Sequence, residues 1–454
     1  MPELNEIVKA YDIRGLVPGQ WDETVAAALG AAFVSVTGQD RIVVARDMRE
    51  SGVGLARAFA EAAAAAGAEV VDAGLCSTDE MYFVSGRYDM AGAMFTASHN
   101  PAAYNGIKLC LPGARPISLD SGLAAIRDTA RDILNGVPAP EAEKPSEVTA
   151  RDFLTEYADY LHGLVDVTTA RPLKVVVDAG NGMAGHTVPA VLGRDTPFEI
   201  VPMYFELDGE FPNHEANPLE PANLVDLQAR VRETGADIGL AFDGDADRCF
   251  VVDERGEPVS PSAVTALVAE AQLAAHPGAV IIYNLITSKS VPEIVTEHGG
   301  TAIRTRVGHS FIKARMAEHD AVFGGEHSAH YYFKDFWFAD TGMLAAMYVL
   351  AALGRTDLPL SELVAGYGRY VASGEINSTV DDQGGTIAEI AAHYATVAGA
   401  ELDQLDGLTV SMPDGDWFNL RPSNTEPLLR LNVEAATSER MAQLRDEVLD
   451  RIRR

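Results

Sequence analysis

"AFDGDADR", residues 241–248, sets Asp243, Asp245 and Asp247 at alternate positions with only Gly and Ala between them. Alternate residues of an extended segment share a face, and spacers this small let the backbone tighten until three carboxylates converge on one hard cation. With Arg248 next in the same turn, the pattern points to Mg²⁺ with an anion beside it. An EF-hand loop counted from Asp243 is rejected, because Arg248 stands at its sixth position, where the sharp turn needs Gly, and a strand enters it. The bland alternative is a solvated acidic turn.

A second polar stretch, "TASHNPAAYNGIK" at 96–108, carries Ser98, His99 and Lys108. A hydroxyl on a loop that no helix or sheet claims can be a nucleophile, a phosphate acceptor or a turn-former. His99 is not assumed to be its base, since adjacent side chains on extended backbone point to opposite sides. A third stretch, "GGEHSAHYYF" at 324–333, alternates Glu326, Ser328 and His330, a set suited to vicinal sugar hydroxyls. A zinc pair of His327 and His330 fits poorly, because the flanks read as strand and turn instead of a metalloprotease helix. "RVGHSFIK" adds His309 and Lys313, four apart, as proton-transfer or charge-neutralising groups, with a solvated helix start as the alternative for Lys313. "RPSNTEP" at 421–427 gathers Arg421, Ser423, Asn424 and Thr425, a cup for phosphate oxygens or a plain turn. A second "DGD", Asp414–Asp416, reads as a hairpin turn.

These stretches need a scaffold, and the chain supplies a repeated one. "RIVVARD" at 41, "LKVVVDAGNG" at 173 and "AVIIYNL" at 279 each read as a buried strand entering a helix. A second strand follows each, "AEVVDAG", "FEIVPMY" and "TAIRTRV", and then a third, "AGAMFT", "ADIGLAF" and "AVFGG". That is βαβ punctuation written three times. The three chemical stretches follow the three third strands, where α/β sheets bind ligands. The Pro- and Glu-rich "NGVPAPEAEKPSE" separates the first unit from the second, and the order of elements changes after residue 369. The expected architecture is three similar α/β domains of mixed sheet flanked by helices, 1–145, 146–254 and 255–368, with a smaller α+β domain, 369–454, around a central cleft.

At 454 residues and 47% hydrophobic content, the chain has material for several cores. A net charge of −31 disfavours nucleic acid and anionic membrane. No apolar run approaches the ~20 residues of a membrane span. Cys76, Cys110 and Cys249 follow no metal or disulfide spacing, which suits a reducing compartment, and a soluble, cytoplasmic protein is expected.

Five blocks in this order, "KAYDIRG", "TASHNP", "DGDADR", "GEHSAH" and "RPSNTEP", resemble the α-D-phosphohexomutases over essentially the whole chain, and "GEHSAHYYF" resembles the bacterial phosphomannomutase branch. The resemblance implies a phosphoserine at Ser98 that exchanges phosphoryl groups with a hexose phosphate through a hexose 1,6-bisphosphate, which is also the activator. It implies Mg²⁺ held by Asp243, Asp245, Asp247 and a phosphoserine oxygen. By the same resemblance Arg14 and Lys108 are expected around the transferring group, with His99 in the same loop and Arg248 beside the metal ligands. Glu326 and Ser328 are expected to grip sugar hydroxyls with His330 nearby, Lys289 to line the site and His309 to be the acid/base candidate. Arg421, Ser423, Asn424 and Thr425 are expected to clamp the other phosphate.

The implied substrates are mannose phosphates, with glucose phosphates as a further possibility, on a monomer or homodimer. Glucosamine-phosphate branches carry Gln where His327 stands. The other readings are a phosphoglucomutase or phosphoglucosamine mutase, a Mg²⁺-dependent sugar phosphatase or bisphosphate synthase, and a non-catalytic sensor, which is expected to lack Ser98 or one of the aspartates.

Overall fold

The computed structural model describes residues 3–422 and 428–453, with backbone alone at 309 and 310. The chain forms two compact units, Met1–Val259 with Ser328–Leu363, and Ser260–His327 with Val364–Arg454.

In the first unit the βαβ pattern appears twice in the same form. Strand Arg41–Arg46 lies between Glu69–Leu75 and Ala91–Phe95, parallel to both. Strand Leu173–Asp178 likewise lies between Phe198–Met203 and Ile238–Phe242. Each third strand is then flanked by an antiparallel one, Tyr104–Leu111 and Cys249–Asp253 respectively, so both sheets are mixed. Helices cover the central strands, which explains why "AGAMF" and "IGLAF" are apolar or small throughout and buried at every position.

Local signals set the helix limits. Asp22 caps Glu23–Thr37 by accepting from the Thr24 and Val25 amides, and Gly38 ends it with φ 64°. That helix packs on Glu50–Ala65 so closely that a Cβ on Gly30 would meet the Phe59 carbonyl oxygen at 2.4 Å. The unit also includes the hairpin Tyr331–Phe333 with Ala339–Asp340 and the buried helix Gly342–Gly354.

The second unit repeats the pattern a third time. Strand Val280–Asn284 runs parallel to Thr301–Thr305 on one side and Phe323–Gly325 on the other. Its remaining sheet is wholly antiparallel, in the order Val371–Thr379, Leu428–Ala435, Trp417–Pro422, Leu408–Ser411, Glu401–Asp403. Helices Gln383–Tyr394 and Ser438–Ile452 close its core over Phe418, Leu420 and Leu431, the second helix contributing Val448. Asp414–Asp416 is the hairpin turn expected, between Leu408–Ser411 and Trp417–Pro422. Among the described residues no helix is long and apolar enough to cross a membrane. All three cysteines are buried thiols.

Candidate active site

Two strand ends in the first unit bring Ser98 to the aspartates. Strand Ala91–Phe95 delivers Ser98 three residues beyond its end, and Ile238–Phe242 delivers Asp243 at once. The Ser98 hydroxyl donates to Asp243 Oδ2 at 2.8 Å. Gly244 permits this approach: a Cβ there would lie 2.4 Å from the Ser98 carbonyl oxygen.

Asp243, Asp245 and Asp247 are all buried and offer ligand atoms within 4.8 Å of one another. The expected convergence is present, but its cause is a turn and not extended alternation: Ala246 takes φ 60° and folds the segment on itself. Residues 326–330 differ from the strand-like reading in the same way, with Ala329 at φ 63°.

Lys108 Nζ donates to Asp245 Oδ2 at 2.6 Å and to Asp247 Oδ2 at 2.5 Å. Thr78 also donates to Asp245 Oδ2, at 2.6 Å. Arg248 Nε donates to Asp243 Oδ2 at 2.9 Å, and its backbone amide to Oδ1 at 3.2 Å. Burial, opposed by Arg248 and reinforced by the other two carboxylates, pushes the Asp243 carboxyl up to about 7. Burial acts the same way on Asp245, but the charge and hydrogen bond of Lys108 hold it below the usual carboxylate range. Asp247 is likewise held low against burial, by Lys108, His330 and Arg248.

Asp245 Oδ1 and Asp247 Oδ1 are buried without a hydrogen-bond partner. Two such oxygens beside a third carboxylate suit a hard divalent cation, so the residues present fit Mg²⁺. A neighbouring group of Asp247, His330 and Asp340 also gathers its ligand atoms, whereas His327 belongs to neither group among the described residues. His327 lies in the second unit with Nδ1 3.2 Å from Ser262 Oγ.

His99 departs from expectation. Its Nδ1 lies 3.2 Å from Ser98 Oγ, because Ser98 itself adopts φ 50° and the backbone is not extended. Burial first, then the Arg248 and Arg14 charges, push the imidazole down to about 2, so it is neutral. Arg248 Nη2 contacts the same Nδ1. Arg14 reaches the loop from strand Ile13–Leu16, donating to Asn100 Oδ1 at 2.7 Å and to Asp12 Oδ2 at 2.5 Å. His330 stands with Nδ1 3.0 Å from Ser328 Oγ and Nε2 3.8 Å from Asp247 Oδ1.

The second unit holds the other expected residues. Glu326 is buried and accepts from Asn284 Nδ2 at 3.1 Å and the Gly308 amide at 3.2 Å. Lys289 precedes helix Ser290–Glu297; its amide donates to Glu434 and its Nζ lies 3.8 Å from Glu293 and 5.5 Å from the Tyr370 ring. His309 opens helix His309–His319. Lys313 is buried in that helix, which rules out the solvated reading. Arg421 is the penultimate residue of strand Trp417–Pro422 and donates to Glu375 Oε2 at 2.9 Å. Ser423, Asn424 and Thr425 lie outside the described residues.

Sequence reasoning missed Thr78, whose hydroxyl meets Asp245, and Arg49, whose Nη2 donates to the Ser98 carbonyl at 3.0 Å. The signal for Arg49 was present: "RDMRE" puts a charged pair where strand Arg41–Arg46 ends, at the kind of position that carries ligand loops.

Residues 5–135, 155–256 and 260–370 match the phosphoglucomutase/phosphomannomutase alpha/beta/alpha domains I, II and III, and 375–451 matches the C-terminal domain. The chain belongs to the phosphoglucomutase/phosphomannomutase family. It is a phosphohexomutase by that membership. A phosphohexose mutase of Xanthomonas campestris is 41% identical over 449 residues, covering 98% of each chain. A phosphomannomutase of Salmonella typhimurium is 41% identical over 436 residues, covering 94% of each. The crystal structure of a phosphoglucomutase/phosphomannomutase family protein from Burkholderia thailandensis superposes with a TM-score of 0.89 at 35% identity, covering 99% of this chain and 97% of that one.

Proposed function

We propose that the enzyme interconverts mannose 6-phosphate and mannose 1-phosphate, accepts glucose phosphates as well, and carries the travelling phosphoryl group on Ser98. The observation that carries this reading is the Ser98 hydroxyl, bonded at 2.8 Å to Asp243 among three buried carboxylates, with Lys108 and Arg248 in contact with them. Phosphoryl transfer depends on positioning and charge neutralisation more than on covalent help, and this set supplies both. The Xanthomonas and Salmonella relatives support the choice of hexose phosphates as substrates.

Asp243, Asp245 and Asp247 would hold Mg²⁺ together with an oxygen of phosphorylated Ser98. Bound there, the ion neutralises charge on the transferring phosphoryl oxygens. A free hydroxyl of the sugar monophosphate attacks the phosphoserine phosphorus. The bond to Ser98 Oγ breaks, a bond to the sugar oxygen forms, the sugar proton passes to a base, for which His309 is the candidate, and Oγ takes up a proton in exchange. The resulting hexose 1,6-bisphosphate turns over and returns its other phosphoryl group to Ser98. Arg14, Lys108, His99 and Arg248 keep the transferring group oriented. Glu326, Ser328, His330 and Lys289 bind the hexose.

Arg421, Ser423, Asn424 and Thr425 hold the phosphate that is not reacting. In this reading 1–145, 146–254, 255–368 and 369–454 act as four domains contributing, in order, the phosphoserine, the metal ligands, the sugar contacts and the phosphate clamp. The enzyme works in the cytoplasm on free sugar phosphates.

A coupled assay with hexose 1,6-bisphosphate present, comparing mannose 1-phosphate, glucose 1-phosphate and glucosamine 1-phosphate, tests the substrate. The highest kcat/KM is expected for mannose 1-phosphate. A preference for glucosamine 1-phosphate, or release of inorganic phosphate faster than isomerisation, overturns the reading.

A further inference from the structure

Arg49 joins strand Arg41–Arg46 to helix Glu50–Ala65, and its side chain is 1% exposed. A guanidinium has five N–H donors, and here each of the five meets an acceptor. Nε donates to Asp47 Oδ2 at 3.3 Å. Nη1 donates to the carbonyls of Pro101 and Tyr104, both at 2.9 Å. Nη2 donates to the carbonyls of Ser98 at 3.0 Å and Asn100 at 2.6 Å. Four backbone carbonyls between Ser98 and Tyr104, the first residue of the next strand, therefore end on one cation.

The cage is closed from the second α/β segment. The Phe211 ring centroid lies 5.1 Å from Arg49 Cζ, and Gly209 packs where a Cβ would come within 2.9 Å of Arg49 Cα. Ser98 needs such support, because φ 50° is a conformation a serine holds only when its surroundings impose it.

We infer that Arg49 is a positioning residue for phosphoryl transfer: through four carbonyl hydrogen bonds it fixes the Ser98 loop in the conformation that aims Oγ at the aspartates. The inference rests on Ser98 being the phosphoryl carrier. Arg49 reaches no reacting atom itself. Lysine has three donors on one atom and cannot serve a fan of carbonyls that two guanidinium nitrogens share. Phe211 holds the guanidinium plane and is the milder point of attack.

The test is Arg49→Lys and Phe211→Ala in the full-length enzyme, assayed well below their melting temperatures. Steady-state kinetics are combined with mass spectrometry of Ser98 phosphorylation by glucose 1,6-bisphosphate. Arg49→Lys is expected to lower kcat by about 100-fold, the scale of a 1 Å misplacement, to slow Ser98 phosphorylation in parallel, and to leave KM within about threefold. Phe211→Ala is expected to shift the same quantities less, and it carries the test if Arg49→Lys fails to fold. Wild-type kcat per folded molecule in the variants, or a loss confined to melting temperature, overturns the inference. Failure of wild-type Ser98 to accept a phosphoryl group overturns the proposed function itself, and the two failures are thereby distinguished.

Discussion

The Ser98 hydroxyl donates to Asp243 Oδ2 at 2.8 Å across 145 positions of sequence. Each residue follows the third strand of its own βαβ segment, so the contact pairs two corresponding points of a repeated scaffold. It unites the proposed phosphoryl carrier with the proposed metal site in one geometry.

Gly244 lies against the Ser98 carbonyl with no room for a methyl group. Gly244→Ala is therefore expected to push the Ser98 loop off its aspartates. The outcome to look for is a loss in kcat on the order of 100-fold, the scale of a 1 Å misplacement, with a modest change in KM. Near wild-type kcat would mean that this close approach is not needed.

The Asp245 and Asp247 oxygens that lack a hydrogen-bond partner predict that divalent metal is needed for activity and also stabilises the protein. EDTA is expected to abolish turnover and lower the melting temperature, and Mg²⁺ to restore both. Asp245→Asn removes a ligand charge and is expected to cost at least about 10–100-fold in metal affinity, the range seen even for outer-shell partners. Thermal melts across a Mg²⁺ titration measure it. An unchanged Mg²⁺ response in this variant would exclude Asp245 as a ligand.

Glu80 lies buried in the first turn of helix Thr78–Tyr88, where burial, with Asp79 and Asp152 adding, pushes its carboxyl from 4.5 up to about 8. The native protein thus holds a proton between those values that the unfolded chain has released. Unfolded protein binds fewer protons in that window, so stability falls as pH rises through it. Glu80→Gln removes the penalty. Its melting temperature is expected to match wild type near pH 5 and to exceed it increasingly towards pH 8.5. A constant difference across that range would contradict the assignment.

Much of the scaffold was legible, because buried parallel strands write themselves as apolar runs and the chemical stretches interrupt them at their carboxyl ends. Thus "AGAMF" and "IGLAF" announced where Ser98 and Asp243 would emerge. What sequence could not carry was the local backbone. The positive φ of Ser98 and Ala246 turned both loops from extended to folded, bringing His99 beside Ser98 when alternation separated them. Long-range partners were equally hidden. Arg49 meets carbonyls some fifty residues away, and nothing in "RDMRE" states which loop it serves.

The central claim is that Ser98 itself carries the phosphoryl group, and the most direct measurement is the mass of the peptide containing it. After incubation with glucose 1,6-bisphosphate and Mg²⁺, wild-type enzyme is predicted to gain one phosphoryl group on Ser98. Ser98→Ala is predicted to gain none, to lose roughly a thousandfold or more in turnover as removal of a nucleophile does, and still to bind mannose 1-phosphate. Full mutase turnover in Ser98→Ala, or phosphorylation elsewhere with Ser98 unmodified, would contradict the account.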